Sequence, residues 1–300
     1  MVRSTGSYPT DARWLGAAPV LFLLLWSSGF VFLKFGLRYA DPLTFLALRY
    51  ACVVGILVVP CLWLKPNFPR TFKAWLHLAM VGVLLQAGYF AFTYLSLKHG
   101  LSAGAVALIT SQQPILVGLF APLIVGERVD AVHWVGLALG ALGAALVISA
   151  KSTIDIASVA ALLFALLALL SMTAGTLWEK RFGADTHPVA ANMIQYGVGL
   201  IVVAPLAFAL EPMQVQWTVG LFGSLAYLVI CNSIIAITLL LAMIRHGEAS
   251  RVSALFFLVP PVTALIALAA LGEAIPLMGW LGMLLAAAGL YLVMRRRSGE

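Results

Sequence analysis

Residues 218–243 read TVGLFGSLAYLVICNSIIAITLLLAM, 26 positions without a charge, with one asparagine, Asn232, in the middle. As a helix this run would rise about 39 Å at ~1.5 Å per residue, enough to cross a bilayer core of about 30 Å. It lacks the alternation of a membrane barrel strand. Nine further apolar runs of similar length accompany it: 14–36, 43–64, 74–97, 102–125, 132–150, 154–178, 188–210, 250–271 and 276–294. Short loops separate them and carry the breakers Asp41-Pro42, Lys65-Pro66-Asn67, Gly126-Glu127-Arg128, His187-Pro188, Glu211-Pro212 and Gly272-Glu273. The composition agrees. The chain is 63% hydrophobic and only 10% charged, with a mean hydropathy of +1.04, whereas soluble domains carry roughly 25% charged residues. The apolar surface must face lipid. The predicted fold class is therefore an all-α membrane protein with ten transmembrane helices.

The run at 218–243 has an echo 146 residues earlier. At that offset Gln86 meets Asn232, Lys34 meets Lys180, Pro42 meets Pro188 and Tyr50 meets Tyr196. Gly126-Glu127, Trp134, Gly136 and Gly143 likewise meet Gly272-Glu273, Trp280, Gly282 and Gly289. With one extra residue, His99-Gly100 and Pro114 meet His246-Gly247 and Pro261. The expected organisation is a cytoplasmic tail at 1–13, a five-helix repeat at 14–150, a second at 151–294 and a basic tail at 295–300. An odd number of helices per repeat gives the halves opposite orientations, an inverted repeat. With the N-terminus inside, the inner segments hold 13 Lys and Arg against 4 outside. The positive-inside rule then puts both termini in the cytoplasm. The run Leu15–Leu33 reads as a first helix, too long for a signal-peptide core. Cys52, Cys61 and Cys231 read as small apolar fillers.

Several residues carry a resemblance. Trp26-Ser27-Ser28-Gly29-Phe30, Lys34, Asp41-Pro42 and Leu48-Arg49, then Pro114, Gly126-Glu127-Arg128, Trp134-Val135-Gly136 and Gly143, are echoed in the second half. In that order the chain resembles the ten-helix EamA-type branch of the drug/metabolite transporter superfamily, over nearly its whole length. Within it the similarity is greatest to bacterial exporters of aromatic amino acids. The resemblance implies a central cavity lined by helices 1, 3, 4, 6, 8 and 9, with 5 and 10 at the periphery. It implies a bacterial inner-membrane location and a small-molecule substrate, amino acids or similar metabolites.

The candidate substrate-binding residues are polar or aromatic groups away from the helix ends. Gln86 and Asn232 either bind the two ends of a zwitterion or bond neighbouring helices. Tyr89 and Thr93 share the face of Gln86, and Tyr227 precedes Asn232 by about a turn. Trp26, Ser27 and Ser28 suit an aromatic ligand with polar ends, or packing with back-bonding. Gln113-Pro114 and Pro260-Pro261 break the backbone bonding of helices 4 and 9, which either frees carbonyls for substrate and makes Pro114, Pro260 and Pro261 candidate hinges, or leaves only a harmless kink. Thr110, Phe256 and Phe257 sit within about a turn of those breaks. Trp178 reads more readily as an interfacial anchor than as a ligand contact. Arg49 either snorkels outward, pairs with Asp41 or meets a substrate carboxylate, and the structural pairing is favoured, as for Lys34. Glu127 and Glu273 read as loop caps or orientation locks. Gly136, Gly140, Gly143, Gly282 and Gly289 form small faces for close packing, with a dimer surface as the alternative to a monomer.

No metal-ligand spacing, catalytic cluster or phosphate-binding loop stands out, so neither a cofactor nor catalytic residues are expected, and nucleic acid is not an expected partner. All eleven acids fall in tails, loops or helix ends, which points to a facilitator. The alternatives are a proton-coupled antiporter of drugs or metabolites and an intramembrane enzyme.

Overall fold

A computed structural model describes residues 12–101, 103–151, 158–183, 186–271 and 275–294. Both outer tails, Glu273 and the side chain of Lys34 lie outside the described residues. The described chain folds into ten helical rods. They are α1 (Ala12–Gly36), α2 (Pro42–Leu64), α3 (Phe72–Lys98), α4 (Ala103–Thr110 and Gln113–Ile124) and α5 (Ala131–Lys151). There follow α6 (Val159–Phe182), α7 (Pro188–Leu210), α8 (Val219–His246), α9 (Ala249–Leu271) and α10 (Leu277–Met294). Nine spans among the described residues are long and apolar enough to cross a membrane, and the apolar part of α1, Ala17–Leu33, is shorter. Beyond one isolated bridge, Ala40 to Val215, the described residues hold no strand. Wide apolar faces stay uncovered by protein, for example Trp63 on α2, Phe208 on α7 and Leu284 on α10. Such faces suit hydrocarbon.

Local chemistry sets the ends. Pro42 and Pro188 open α2 and α7 at the position where a missing N–H costs nothing. Thr71, Ser158 and Thr218 cap α3, α6 and α8 by accepting from the N–H of Ala74, Ala161 and Leu221. Lys65 closes α2 in the left-handed region at φ 42°, and Pro66 prevents the helix from resuming.

Contacts between loops sort them into two groups. At one end, the backbone around Asp41 bonds to that around Gln214, Lys98 reaches Glu211, and Ser158 bonds to the His99 carbonyl. At the other, Glu127 holds the start of α9, Lys180 donates to the Gly247 carbonyl and Arg181 to that of Ile124. The loops after α1, α3, α5 and α7 thus meet at one end and those after α4, α6 and α8 at the other, as alternating spans require.

Two packings and one pair of matching helical segments join or match positions related by the 146-residue offset. Helix α2 lies on α7, and the rings of Tyr50 and Tyr196 meet edge to face at 5.3 Å. Helix α3 winds as a π-helix over Gly82–Tyr89, and α8 does so over Leu228–Ala236. Helix α5 packs on α10 through glycines. A Cβ on Gly136 would lie 2.8 Å from the Gly289 carbonyl oxygen, and one on Gly282 would lie 2.7 Å from that of Gly143. The small faces are thus consumed by α5–α10 contact within the chain.

That packing gives a first prediction. Gly136→Leu would press on the Gly289 backbone, Val293 and Leu292. It should lower stability by about 1–3 kcal/mol, the usual cost of overpacking. Gly55, with nothing within 4 Å of its would-be Cβ, should accept leucine with little change. Melting temperatures of the two variants in detergent measure the difference.

Candidate functional site

Helices α1, α2, α3 and α8 enclose a small cavity of about 30 Å³. Trp26, Gly29 and Leu33 come from α1 at spacings of three and four, one helical face. Tyr89, Phe90, Thr93 and Tyr94 come from α3, Leu228 and Asn232 from α8, and Arg49 from α2. The volume is enough for water or a single small polar group, so an amino acid would need the helices to part.

Its aromatic wall is centred on Trp26. The indole lies 5.4 Å from the ring of Phe22, 6.0 Å from Phe90 and 5.7 Å from Phe256, the last edge-on. Tyr89 stacks on it at 6.3 Å with the planes 20° apart. These separations lie within the range favoured for aromatic pairs. Phe256 reaches this group from a 3₁₀ turn, Leu255–Leu258, just before Pro260 and Pro261.

The polar wall is built by the two π-helical segments. A π turn holds one more residue than an α turn and disturbs the regular carbonyl pairing. The Tyr50 hydroxyl donates to the Gln86 carbonyl at 2.6 Å, and the Tyr196 hydroxyl to the Ser233 carbonyl at 2.9 Å. Equivalent tyrosines thus steady equivalent π segments. Arg49 donates from Nε to Ser233 Oγ and from Nη2 to Asn232 Oδ1, both at 2.7 Å, and its guanidinium lies 4.9 Å from the centre of the Phe90 ring. Gly29 lets α1 approach this group, because a Cβ there would come within 2.5 Å of Asn232 Nδ2.

The structure gathers some of the sequence-predicted residues and separates others. Trp26, Tyr89, Thr93 and Asn232 line the cavity, and Phe256 backs it. Ser28 and Tyr227 share a 2.6 Å hydrogen bond beside it, with Tyr227 stacked on Phe32 at 3.7 Å. Ser27 is buried, and among the described residues its hydroxyl has no partner. Gln86 is fully buried, with its side chain beside the Tyr196 hydroxyl. Gln113 bonds Thr176 at 3.2 Å, and Thr110 bonds back to the Val106 carbonyl, just before the break ahead of Pro114.

Three expectations need correction. Phe257 packs against Gly140 of α5 with Leu137, Ala144 and Val293, not with Trp26; the 3₁₀ turn sends neighbouring side chains to different helices. Arg49 neither snorkels nor pairs with Asp41. It turns inward to α8, while Asp41 accepts from the Gln214 backbone. Trp178, whose second reading is a ligand contact, does not line the cavity and lies against His77 at 5.7 Å and Phe182 at 4.7 Å.

Other residues were missed. Phe22, Phe90 and Tyr94 complete the aromatic wall, and Gln195 is buried with its amide unpartnered. The 146-residue offset could have flagged Gln195, since it aligns with Arg49 and both are polar within apolar runs. Glu179 is buried on Arg245 at the end that holds the α6–α7 and α8–α9 loops. Glu211 is buried at the opposite end. The Glu127 carboxylate accepts from the N–H of Ala249 and Ser250.

Among the described residues the chain is all-helical, with nine spans long and apolar enough to cross a membrane and a shorter apolar first helix, the pattern of a multi-pass membrane protein. The EamA-like transporter family matches the chain twice, over residues 14–149 and 159–295, and the chain belongs to that family within the drug/metabolite transporter superfamily. It is 27% identical over 273 residues to the uncharacterized transporter YvbV of Bacillus subtilis, covering 90% of this chain and 88% of that one. It is 25% identical to a probable amino-acid metabolite efflux pump of Salmonella typhimurium, over 92% of this chain and 93% of the other. A protein described in the same words from Escherichia coli is 24% identical over 92% and 93%. A crystal structure with 17% identity superposes at a TM-score of 0.79 over 94% of this chain and 97% of its own, which supports the fold.

Proposed function

We propose that this transporter exports small neutral or zwitterionic metabolites, aromatic amino acids among them, across a bacterial inner membrane. It works by alternating access of two inverted five-helix repeats, 14–150 and 151–294. The observation that carries the substrate class is the aromatic wall of Trp26, Tyr89, Phe90 and Phe256 facing polar Thr93 and Asn232. Two relatives are probable amino-acid metabolite efflux pumps, which agrees with this substrate class. The inverted repeat is supported by the self-meeting of Tyr50 with Tyr196, the paired π segments and the crossed glycine contacts, features expected near a twofold axis. Gln113-Pro114 and Pro260-Pro261 supply the flexing points. Flux of radiolabelled phenylalanine, tryptophan and threonine from liposomes holding the pure protein tests the reading. Flux no faster than from protein-free liposomes for all three would overturn it.

The same wall bears on energy coupling. A proton antiporter needs a group in its pathway that takes up and releases protons at working pH. No carboxylate lines the cavity. Glu179 and Glu211 are buried at opposite ends, on Arg245 and Lys98. The expected result is a facilitator. At fixed substrate, an imposed pH gradient should drive no uphill accumulation. Accumulation abolished by a protonophore would establish proton coupling instead.

Topology is tested separately. Tags at residues 1 and 300 should be reached only from the cytoplasm. A periplasmic C-terminus would contradict the inverted repeat.

A further inference from the structure

We infer that Arg49 is the recognition site for a carboxylate on the transported molecule, so that a carboxylate is required of substrates and an amine alone does not suffice. The inference rests on the transport reading above and narrows it.

Arg49 stands about two turns inside α2 and is 1% exposed. A guanidinium holds its positive charge in proteins. Burying such a charge is tolerated where an opposite charge or a set of strong acceptors compensates it. The bonds of Arg49 go to two neutral acceptors, Ser233 Oγ and Asn232 Oδ1. No ion pair joins it to a carboxylate among the described residues. Among the described residues the other strongly buried charges have formal partners: Glu179 has Arg245, and Glu211 has Lys98. Arg49 is thus a cation with no carboxylate partner among the described residues, held only by neutral groups, with the Tyr94 hydroxyl also beside it, next to the aromatic wall.

Its surroundings are those of a ligand site and not of a structural bolt. Arg49 and Tyr94 both line the cavity, and Nη1 is used in neither the Ser233 nor the Asn232 bond. Ser233 and Asn232 hold Nε and Nη2, which fixes the plane of the fork, and the Phe90 face steadies it from one side. A fork held this way presents its remaining donors in the geometry that suits a carboxylate. The cavity of about 30 Å³ accepts a group of that size while Trp26 and Tyr89 line the same space for the rest of the molecule. The repeat sharpens the point. The position equivalent to Arg49 holds the neutral Gln195, so the charge is not required by the fold of the helix pair.

The test uses ligand pairs that differ in the carboxylate: phenylalanine against phenethylamine and against phenylalanine methyl ester, and threonine against 1-amino-2-propanol. 3-Phenylpropionate, a carboxylate without an amine, completes the set. Binding to the purified wild-type protein is read by thermal shift, and flux is read in liposomes. The carboxylate members should bind at least tenfold more tightly, about 1.4 kcal/mol at ~1.4 kcal/mol per tenfold, and 3-phenylpropionate should compete with phenylalanine. Arg49→Lys, checked for folding by its ligand-free melting temperature, should keep the charge but lose most of the discrimination. Equal binding and flux of phenylalanine, its amine and its ester by wild type would overturn the inference while leaving the transport reading intact. Absence of binding and flux for every compound would overturn both.

Discussion

Replacing Trp26 by alanine should reduce flux of phenylalanine and tryptophan by about tenfold or more while changing threonine flux by less than about threefold. The magnitude follows from area and geometry. Removing an aromatic side chain takes away a contact surface whose burial is worth about 1.5–3 kcal/mol, with about 0.5–1.5 kcal/mol more per favourable ring pair. Each 1.4 kcal/mol is about tenfold. An aromatic substrate would lose that surface, and threonine has no ring to place on it. Trp26 also packs on Phe22, Tyr89, Phe90 and Phe256, so truncation weakens the protein itself. The comparison is therefore between substrates on one preparation. Trp26→Phe should retain most of the aromatic preference. Equal loss for aromatic amino acids and threonine would mean that Trp26 is structural and the aromatic wall does not set selectivity.

The features that sequence reveals are those decided by water. Ten apolar runs became ten rods because exposing any of them would be costly wherever the chain folded. Pro42 and Pro188 announced helix starts, and the glycines of α5 and α10 announced close packing, since backbone constraints act locally. The mid-span positions of Trp26 and Asn232 were legible for the same reason, because an aromatic indole or an amide far from the interface is conspicuous.

What stayed hidden depends on which rod lies beside which. No local signal marks a π turn. The segments at Gly82–Tyr89 and Leu228–Ala236 are steadied by hydroxyls from Tyr50 and Tyr196, far away in sequence. Asp41 lies eight residues before Arg49, and chain proximity made it the natural partner. The actual partners come from α8, more than 180 residues on. Phe256 and Phe257 are adjacent in sequence yet pack on opposite neighbours, because a 3₁₀ turn replaces the regular helix there. Buried acids were the other gap. Glu211 was legible as a loop residue beside a proline, but its destination was not.

That destination leads to the largest expected effect on stability. The first turn of α2 must satisfy its free N–H groups. Pro42 has none, and the N–H of Phe45 bonds to the Asp41 carbonyl at 2.7 Å. Glu211 takes the two that remain, accepting from Leu43 at 2.9 Å and Thr44 at 2.8 Å, and it also accepts from the Thr44 hydroxyl at 2.9 Å. A carboxylate at a helix N-terminus is favoured by the helix dipole as well, and Lys98 approaches it at 3.4 Å. Glu211→Ala would leave two buried N–H donors and one hydroxyl without acceptors. At about 1–3 kcal/mol for each unsatisfied buried group, the loss should reach about 3–5 kcal/mol after partial relaxation. Much of the variant should therefore fail to reach the folded state in the membrane. Glu211→Gln keeps one acceptor oxygen, and it should recover a substantial part of the folded yield while losing the attraction to Lys98. Glu127 makes the same kind of bonds to Ala249, Ser250 and the Ser250 hydroxyl, so Glu127→Ala should damage the start of α9 in parallel. Its effect should be smaller, because that site is only partly buried. Gel-filtration profiles and melting temperatures of the three variants in one detergent decide the matter. A Glu211→Ala protein as stable as wild type would mean that water, not Glu211, satisfies the first turn of α2.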